Sequence, residues 1–235
     1  MIRKENLEAT LKAIGYIQST RTNVFEKKYA QFDCTIEVDF NGNGSINYPE
    51  EKGMKITRKT TCNFSQPENF VVLECITRLM DKGYRPEHIE LEKEWTLGHS
   101  DKGGFADILV KDADGKTLFI IECKTPGTEY KKELNNTLND GGQLFSYWKQ
   151  EGYCKWLSLY ASDFDGTSVS YTTETIDCSD DANILATAKK DPSILLYRDA
   201  GTTEDLFTVW DETYDKRLCG DVICLLYTSP SPRDS

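Results

Sequence analysis

Histidine is scarce in this 235-residue chain, with only His88 and His99. That scarcity argues against a histidine-built metal cluster and against a Ser-His nucleophilic device. None of the eight cysteines stands in a Cys-x-x-Cys pair. They are scattered, and several fall inside apolar stretches, so they read as reduced core residues of a cytoplasmic protein rather than as zinc ligands or disulfides. No apolar run approaches the roughly 20 residues that span a bilayer, so no membrane partner is expected. Met1-Ile-Arg-Lys-Glu-Asn6 lacks the apolar core of a leader peptide. Positive charge is also in deficit. A net charge of −11 counts against tight binding to nucleic acid by this segment unaided, because such binding rests on neutralising phosphates with Lys and Arg. It leaves room for a domain that other parts of a larger enzyme bring to its substrate.

What is present suits a soluble globular unit: 38% hydrophobic, 11% aromatic and 29% charged residues, in a length with room for one domain of ordinary size, or one with an added subdomain. The most informative stretch is Gly104–Lys124. Apolar runs at 105–110 and 117–123 flank a turn with Asp114-Gly115 at its tip, which is the short-range signal of a β-hairpin. Strand side chains alternate faces, so Glu122 and Lys124 share a face while Phe119, Ile121 and Cys123 point to the other. Pairing about the Asp-Gly turn brings Asp107 close to Glu122. Two neighbouring carboxylates on a mostly buried sheet repel each other and lose solvation. A cation between them relieves that cost, and magnesium prefers hard oxygen ligands. A lysine beside it can polarise a water or stabilise charge developing on a phosphate. Glu-x-Lys itself is common here, at Glu26–Lys28, Glu50–Lys52, Glu122–Lys124 and Glu129–Lys131. Only the third closes a long apolar strand with an aspartate placed across a hairpin. Spacing alone leaves open a half-exposed hairpin whose charges simply face water.

The remaining chain supplies a frame. Residues 4–14 read as a short helix stopped by Gly15, and Val24–Ala30 and Cys34–Phe40 as strands, the second strictly alternating. Asp39-Phe-Asn-Gly-Asn-Gly44 with Glu50 fits the EF-hand loop literally. It is entered from a strand, however, and Pro49 and Gly53 spoil an exit helix, so a hairpin is expected. Ser65-Gln-Pro-Glu68 reads as a capping box before a buried helix to about residue 82. Ile89–Leu97 alternates as a strand, 125–139 reads as a polar connection, 140–150 as a helix, and 155–161 as a further strand. A hairpin at 168–178, a short helix, a strand around Ile194–Tyr197 and a helix over 204–214 complete the reading. Lysines 102, 111, 116, 124, 131 and 132 gather around the hairpin, solvated surface charge being the default account of most of them. The chain divides into four segments: 1–60, a small helix and antiparallel β elaboration; 61–165, the core; 166–223, an extension; and 224–235. The last, Cys224-Leu-Leu-Tyr-Thr-Ser-Pro-Ser-Pro-Arg-Asp234, reads as a translated sequencing adapter, in which case the natural protein is longer.

Gly104-Phe-Ala-Asp107, Ile120-Ile-Glu-Cys-Lys124-Thr-Pro and Gly142-Gln143-Leu-Phe-Ser-Tyr147 together resemble the PD-(D/E)xK nuclease superfamily. Within it they are most similar to the N-terminal nuclease domain of type I restriction subunits and related restriction–modification enzymes. Ala106 departs from the superfamily's namesake proline. The resemblance covers about residues 66–165 and implies an α/β, restriction-endonuclease-like core of order αβββαβ, a mixed central sheet flanked by helices. It implies a Mg2+-dependent DNA endonuclease, with Mn2+ as a substitute, acting on double-stranded DNA. Asp107, Glu122 and the backbone carbonyl of Cys123 would hold the metal, with Glu68 or Glu74 from the first core helix as a contributor to a second. Lys124 would position the attacking water and stabilise the transition state, and hydrolysis would leave a 5′-phosphate and a 3′-hydroxyl. Gln143 and Tyr147, four apart on one helical face, would orient Lys124 or contact the DNA backbone; otherwise they are a capping glutamine and a core tyrosine. Partners implied are methyltransferase and specificity subunits, or a fused downstream motor or methyltransferase domain. Two alternatives remain: a non-catalytic module of the same fold that docks DNA or a subunit, and a DNA-repair nuclease. The nuclease reading requires Asp107 to share the face of Glu122 and Lys124.

Overall fold

The computed structural model describes residues 1–95, 104–140, 142–151, 154–178, 183, 197–198 and 203–214. A 3-10 turn at Lys4–Asn6 leads into α1 (Leu7–Ala13), and Gly15 comes next in the left-handed region at φ +90°. Four strands then form an antiparallel sheet in chain order: β1 (Ile17–Gln18), β2 (Val24–Tyr29), β3 (Cys34–Asp39) and β4 (Ser45–Asn47). β3 alternates buried and half-buried residues as expected. The EF-hand-like stretch is a hairpin, with Asp39 paired to Ser45 and the Asp39 carboxylate accepting the Asn41 N–H at 2.8 Å.

α2 (Glu68–Asp81) is buried without a break from Asn69 to Thr77, because it lies between two sheets rather than on a surface. On one side Tyr16 and Tyr29 bring their hydroxyls to Thr77, at 2.9 Å from its Oγ1 and 3.4 Å from its carbonyl. One apolar cluster runs from Leu11, Ile36 and Val38 through Val72 and Ile76 to Phe119 and Ile121. Residues 1–60 therefore share one core with α2 and the central hairpin. The predicted capping box does not form: Pro67 takes helical angles, no side chain caps the helix, and Glu68 begins it. Its carboxylate turns to Lys124 instead.

The second sheet holds β5 (Lys55–Ile56), β6 (Ile89–Trp95), β7 (Gly104–Lys111), β8 (Thr117–Cys123), β9 (Trp156–Phe164), β10 (Val169–Asp177) and β11 (Tyr197–Arg198) side by side in that order. The β5/β6 and β8/β9 pairs are parallel and the rest antiparallel. Every residue of β8 is buried, as expected of a central strand covered on both faces. The parallel step from β8 to β9 is made by α3 (Thr128–Asp140) and α4 (Gly142–Glu151), which pack Tyr130 and Tyr147 against Leu109, Ile120, Leu157 and Leu159. α2 and α5 (Thr203–Asp211) cover the other face.

Three expectations change. Residues 125–139 are mostly the helix α3, not a polar connection: Tyr130, Glu133 and Thr137 are buried at helical spacing, a face with too little apolar content to register as a period. Residues 168–178 hold one strand, β10, whose hairpin partner is β9. β6 does not alternate, since Ile89, Glu90, Leu91 and Glu92 are all buried. Residues 224–235 lie outside the described residues.

α5 is anchored by Trp210, fully buried, stacked on Phe119 at 5.7 Å and donating its indole N–H to Ser158 at 3.2 Å. Trp210→Ala is expected to destabilise the chain by about 3–5 kcal/mol, read as a lower urea midpoint at unchanged slope. A loss under about 1 kcal/mol would show that this helix does not support the sheet.

Candidate functional site

The hairpin turn is built by Asp112, whose Oδ1 accepts the N–H groups of Asp114 (2.9 Å) and Lys116 (2.8 Å), with Gly115 at φ +80°. This fixes the register Leu109↔Ile120 and Ile108↔Ile121, so the next position across is Asp107 opposite Glu122. Asp107 Oδ2 accepts the Cys123 N–H at 2.7 Å, which locks the aspartate against the end of β8. On the other side of β8, the Lys124 N–H donates to the Tyr160 carbonyl at 2.8 Å. The lysine is therefore held in line at the strand's end. Its Nζ lies 2.6 Å from Glu122 Oε1 and 3.5 Å from Glu68 Oε2. Glu122 is 2% exposed, and its second oxygen, Oε2, has no hydrogen-bond partner among the described residues.

Electrostatics reflect this crowding. Burial pushes the half-buried Asp107 carboxyl up to about 7, with Lys124 opposing and Glu68 adding to the rise. Burial first, and Asp107 second, drive Glu122 well above the usual carboxylate range. Glu68 is raised by burial against the pull of Lys124. Burial would lower Lys124, but Glu122, Asp107 and Glu68 outweigh it and hold the ammonium charged. Asp107, Glu122 and Lys124 thus act on one another in one place. The ammonium occupies the centre of charge, and among the described residues no three acidic, histidine or cysteine side chains form a ready metal cage. The donor set nevertheless fits a hard divalent cation: carboxylate oxygens from adjacent strands, one of them buried and unsatisfied.

Residues 67–156 match the family model described as the type I restriction enzyme R protein N terminus. This segment resembles the R protein's N-terminal module. It runs from the start of α2 to the first residue of β9 and so contains Glu68, Asp107, Glu122, Lys124 and Tyr147. No curated protein matches the chain.

The other residues expected in this R-protein-like segment divide. Tyr147, on α4, is buried and stacks on Trp95 at 5.1 Å and 20°. Burial, then the charges of Glu122 and Asp107, push its hydroxyl up. Gly104 is required there, because a Cβ would come 2.6 Å from the Tyr147 ring. Gln143 lies on the same helix, but its side chain is outside the described residues. The Cys123 thiol is directed to Cys75 in the core, so a main-chain carbonyl is all this residue has to offer. Glu74 is not part of the site: it pairs with Arg78 and accepts the Tyr160 hydroxyl at 2.7 Å. Lys111 is bound to Glu90, and Lys102 lies outside the described residues.

Sequence reasoning missed Glu92. It falls between the pairs Leu91↔Ile108 and Lys93↔Ala106, opposite Asp107 on the side away from Glu122. Its backbone is left-handed at φ +54°, a conformation that costs a non-glycine residue about 1–3 kcal/mol. Simple alternation sets it beside Glu90 on a solvent face; only the strand register, matched to Asp107, pointed elsewhere.

Asp107 yields a pH prediction. With its carboxyl near 7 in the folded chain and near 3.9 unfolded, the folded state binds more protons between these values. Its contribution to stability is present at low pH and is lost as pH rises through about 7. In chelator, the stability of the parent relative to Asp107→Asn is expected to fall from about pH 5 to about pH 8 in urea titrations. A difference that rises with pH would show that the carboxyl is not raised.

Proposed function

We propose that residues 61–165 are a restriction-endonuclease-like module that hydrolyses DNA phosphodiesters with Mg2+, or Mn2+ in its place. The observation that carries this reading is the convergence of Asp107, Glu122 and Lys124 at the end of β8, with Glu122 Oε2 buried and unpartnered among the described residues. The order α2–β6–β7–β8–α3–α4–β9 and the match to the R-protein N terminus support it.

Asp107, Glu122 and the Cys123 carbonyl would hold the cation, with Glu68 at its margin. When bound, the cation supplies charge neutralisation at the phosphate and acidity to the attacking water. Lys124 is kept charged by its acidic neighbours, so it acts as a hydrogen-bond donor and not as a base. Released from Glu122, its ammonium is placed to orient the water and to stabilise charge gathering on the phosphate oxygens. The water oxygen forms the new bond to phosphorus as the 3′ oxygen leaves, giving a 5′-phosphate and a 3′-hydroxyl. Tyr147, with Gln143 on the same helix, supports the lysine's placement. The net charge of −11 fits a module to which DNA is delivered by methyltransferase and specificity subunits, or by a fused motor or methyltransferase domain.

Asp107→Ala and Lys124→Ala are each expected to lower Mg2+-dependent plasmid cleavage by about 10³-fold or more, with the circular dichroism spectrum unchanged. The assay applies to the chain and to the assembly that presents DNA to it. Cleavage at the parental rate by either variant would refute the assignment.

A further inference from the structure

The nuclease reading leaves one cation beside the site without a task. Arg58 follows β5 and lies outside the segment that matches the R-protein family. Its guanidinium carbon sits 4.2 Å from the centre of the Phe105 ring on β7, so the side chain passes over β6 to reach it. Neighbouring cations are neutralised within the chain: Lys59 by Glu50, Lys93 and Lys111 by Glu90, Lys124 by Glu122. Arg58 is exposed and makes no hydrogen bond and no ion pair among the described residues; the ring is its partner.

Strand register sets this guanidinium at the edge of the sheet that carries the acids. Ile56, Leu91, Ile108 and Ile121 form one rank across β5, β6, β7 and β8. Asp107, Glu122 and Lys124 lie beyond that rank on one side, and Arg58 and Phe105 lie beyond it on the same side. Gly104 and Ala106 turn to Tyr147 and the α4 cluster, so Phe105 between them points to the face covered by α2, whose first residue is Glu68. The backbone is anchored on both sides of Arg58. The Thr57 N–H donates to the Leu91 carbonyl at 3.1 Å, and the Asn69 amide, on the first turn of α2, donates to the carbonyls of Thr60 and Asn63 at 2.8 Å each. Phe105 and Asp107 are two residues apart, about 7 Å along a strand, and phosphates of one DNA strand succeed each other every 3.4 Å or so of helix axis. A guanidinium with one face on a ring keeps its N–H edge free, and that edge matches two phosphate oxygens. We propose that Arg58, seated on Phe105, is a phosphate-binding residue that grips the DNA strand a few nucleotides from the bond to be cut.

The inference rests on the nuclease reading for its substrate, and a binding experiment tests it apart from cleavage. A fluorescent duplex is titrated with the full chain in Ca2+, which shares the preference for oxygen ligands, and anisotropy is followed from about 20 to about 200 mM salt. Parent, Arg58→Ala and Arg58→Lys are compared, with a urea titration of each to show that it is folded. Arg58→Ala is expected to weaken binding about 10-fold at low salt and to reduce the slope of log affinity against log salt by about 0.9, the share of one phosphate contact. Arg58→Lys is expected to keep the slope and lose part of the affinity, because it keeps the charge without the planar fork. A purely structural pairing with Phe105 would lower the urea midpoint and leave the slope unchanged, and that result would overturn the inference. Parental affinity in Arg58→Ala, or a parent that binds no duplex at low salt, would overturn it too. None of these results touches the nuclease reading, which is judged by cleavage in Asp107→Ala and Lys124→Ala. Arg58-dependent binding by a chain that cuts no DNA would overturn that reading instead and leave Arg58 as the grip of a docking module.

Discussion

Three carboxylates, of Glu68, Asp107 and Glu122, are drawn around one ammonium where β8 ends, and the cost of burying them constrains the structure around the site. Glu122 sits on a strand buried on both faces, so its charge cannot be met by water; it is met by Lys124 at 2.6 Å and otherwise left unsatisfied among the described residues. Removing carboxylates from solvent is unfavourable unless an opposite charge and hydrogen bonds replace the water. The structure supplies part of that replacement in the Cys123 N–H to Asp107 and the Lys124 ammonium. The remainder corresponds to a cation on the proposed reading.

The scaffold explains why the acids cannot retreat. Asp112 sets the hairpin register, which sets Asp107 across from Glu122; β9 fixes the Lys124 backbone through the Tyr160 carbonyl. On one face α2 delivers Glu68 from its first turn; on the other α4 delivers Tyr147 against Gly104 and Trp95. Each group comes from a different element, and each element is held by an apolar cluster on its own side of the sheet. A site assembled in this way keeps its geometry through packing rather than through loop conformation. Tyr160 joins the two layers: its carbonyl holds Lys124, while its hydroxyl satisfies Glu74, the buried acid that Arg78 also neutralises. Glu74 is thereby committed to structure and Glu68 left to the site, although both lie on α2 and spacing alone did not separate them.

Legibility in the sequence tracked the strength of local signals. The Asp-Gly hairpin, the alternation of β3 and the apolar run of α2 are short-range patterns, and they placed Asp107, Glu122 and Lys124 correctly relative to one another. α3 was illegible because its buried face is made of Tyr130, Glu133 and Thr137, of which only the tyrosine counts as apolar. Glu68 was misread because Ser-x-x-Glu describes a cap only when the serine lies at the helix boundary, and Pro67 moved that boundary to Glu68 itself. Glu92 was hidden for a different reason. Alternation is a property of regular strands, and one left-handed residue suspends it; no composition rule reports where a glutamate will accept that strain.

The acidity of the whole chain and that of its site are one physical problem. A phosphate backbone approaching a surface of net charge −11, towards a pocket of buried carboxylates, meets repulsion at long range and again at contact. Screening removes the first beyond about 8–10 Å at physiological salt; it does little for the second, where the dielectric is low. On the proposed reading, cations reverse the sign locally and only there, so DNA is held at the pocket when ions occupy it and is otherwise turned away. An acidic surface does not confer the non-specific affinity that a basic one would, so on the proposed reading encounter depends on whatever partner presents the DNA. On that same reading, a cutting module that binds poorly alone and well only when loaded and supplied has its activity set by delivery, and the charge distribution would produce that behaviour without a moving part.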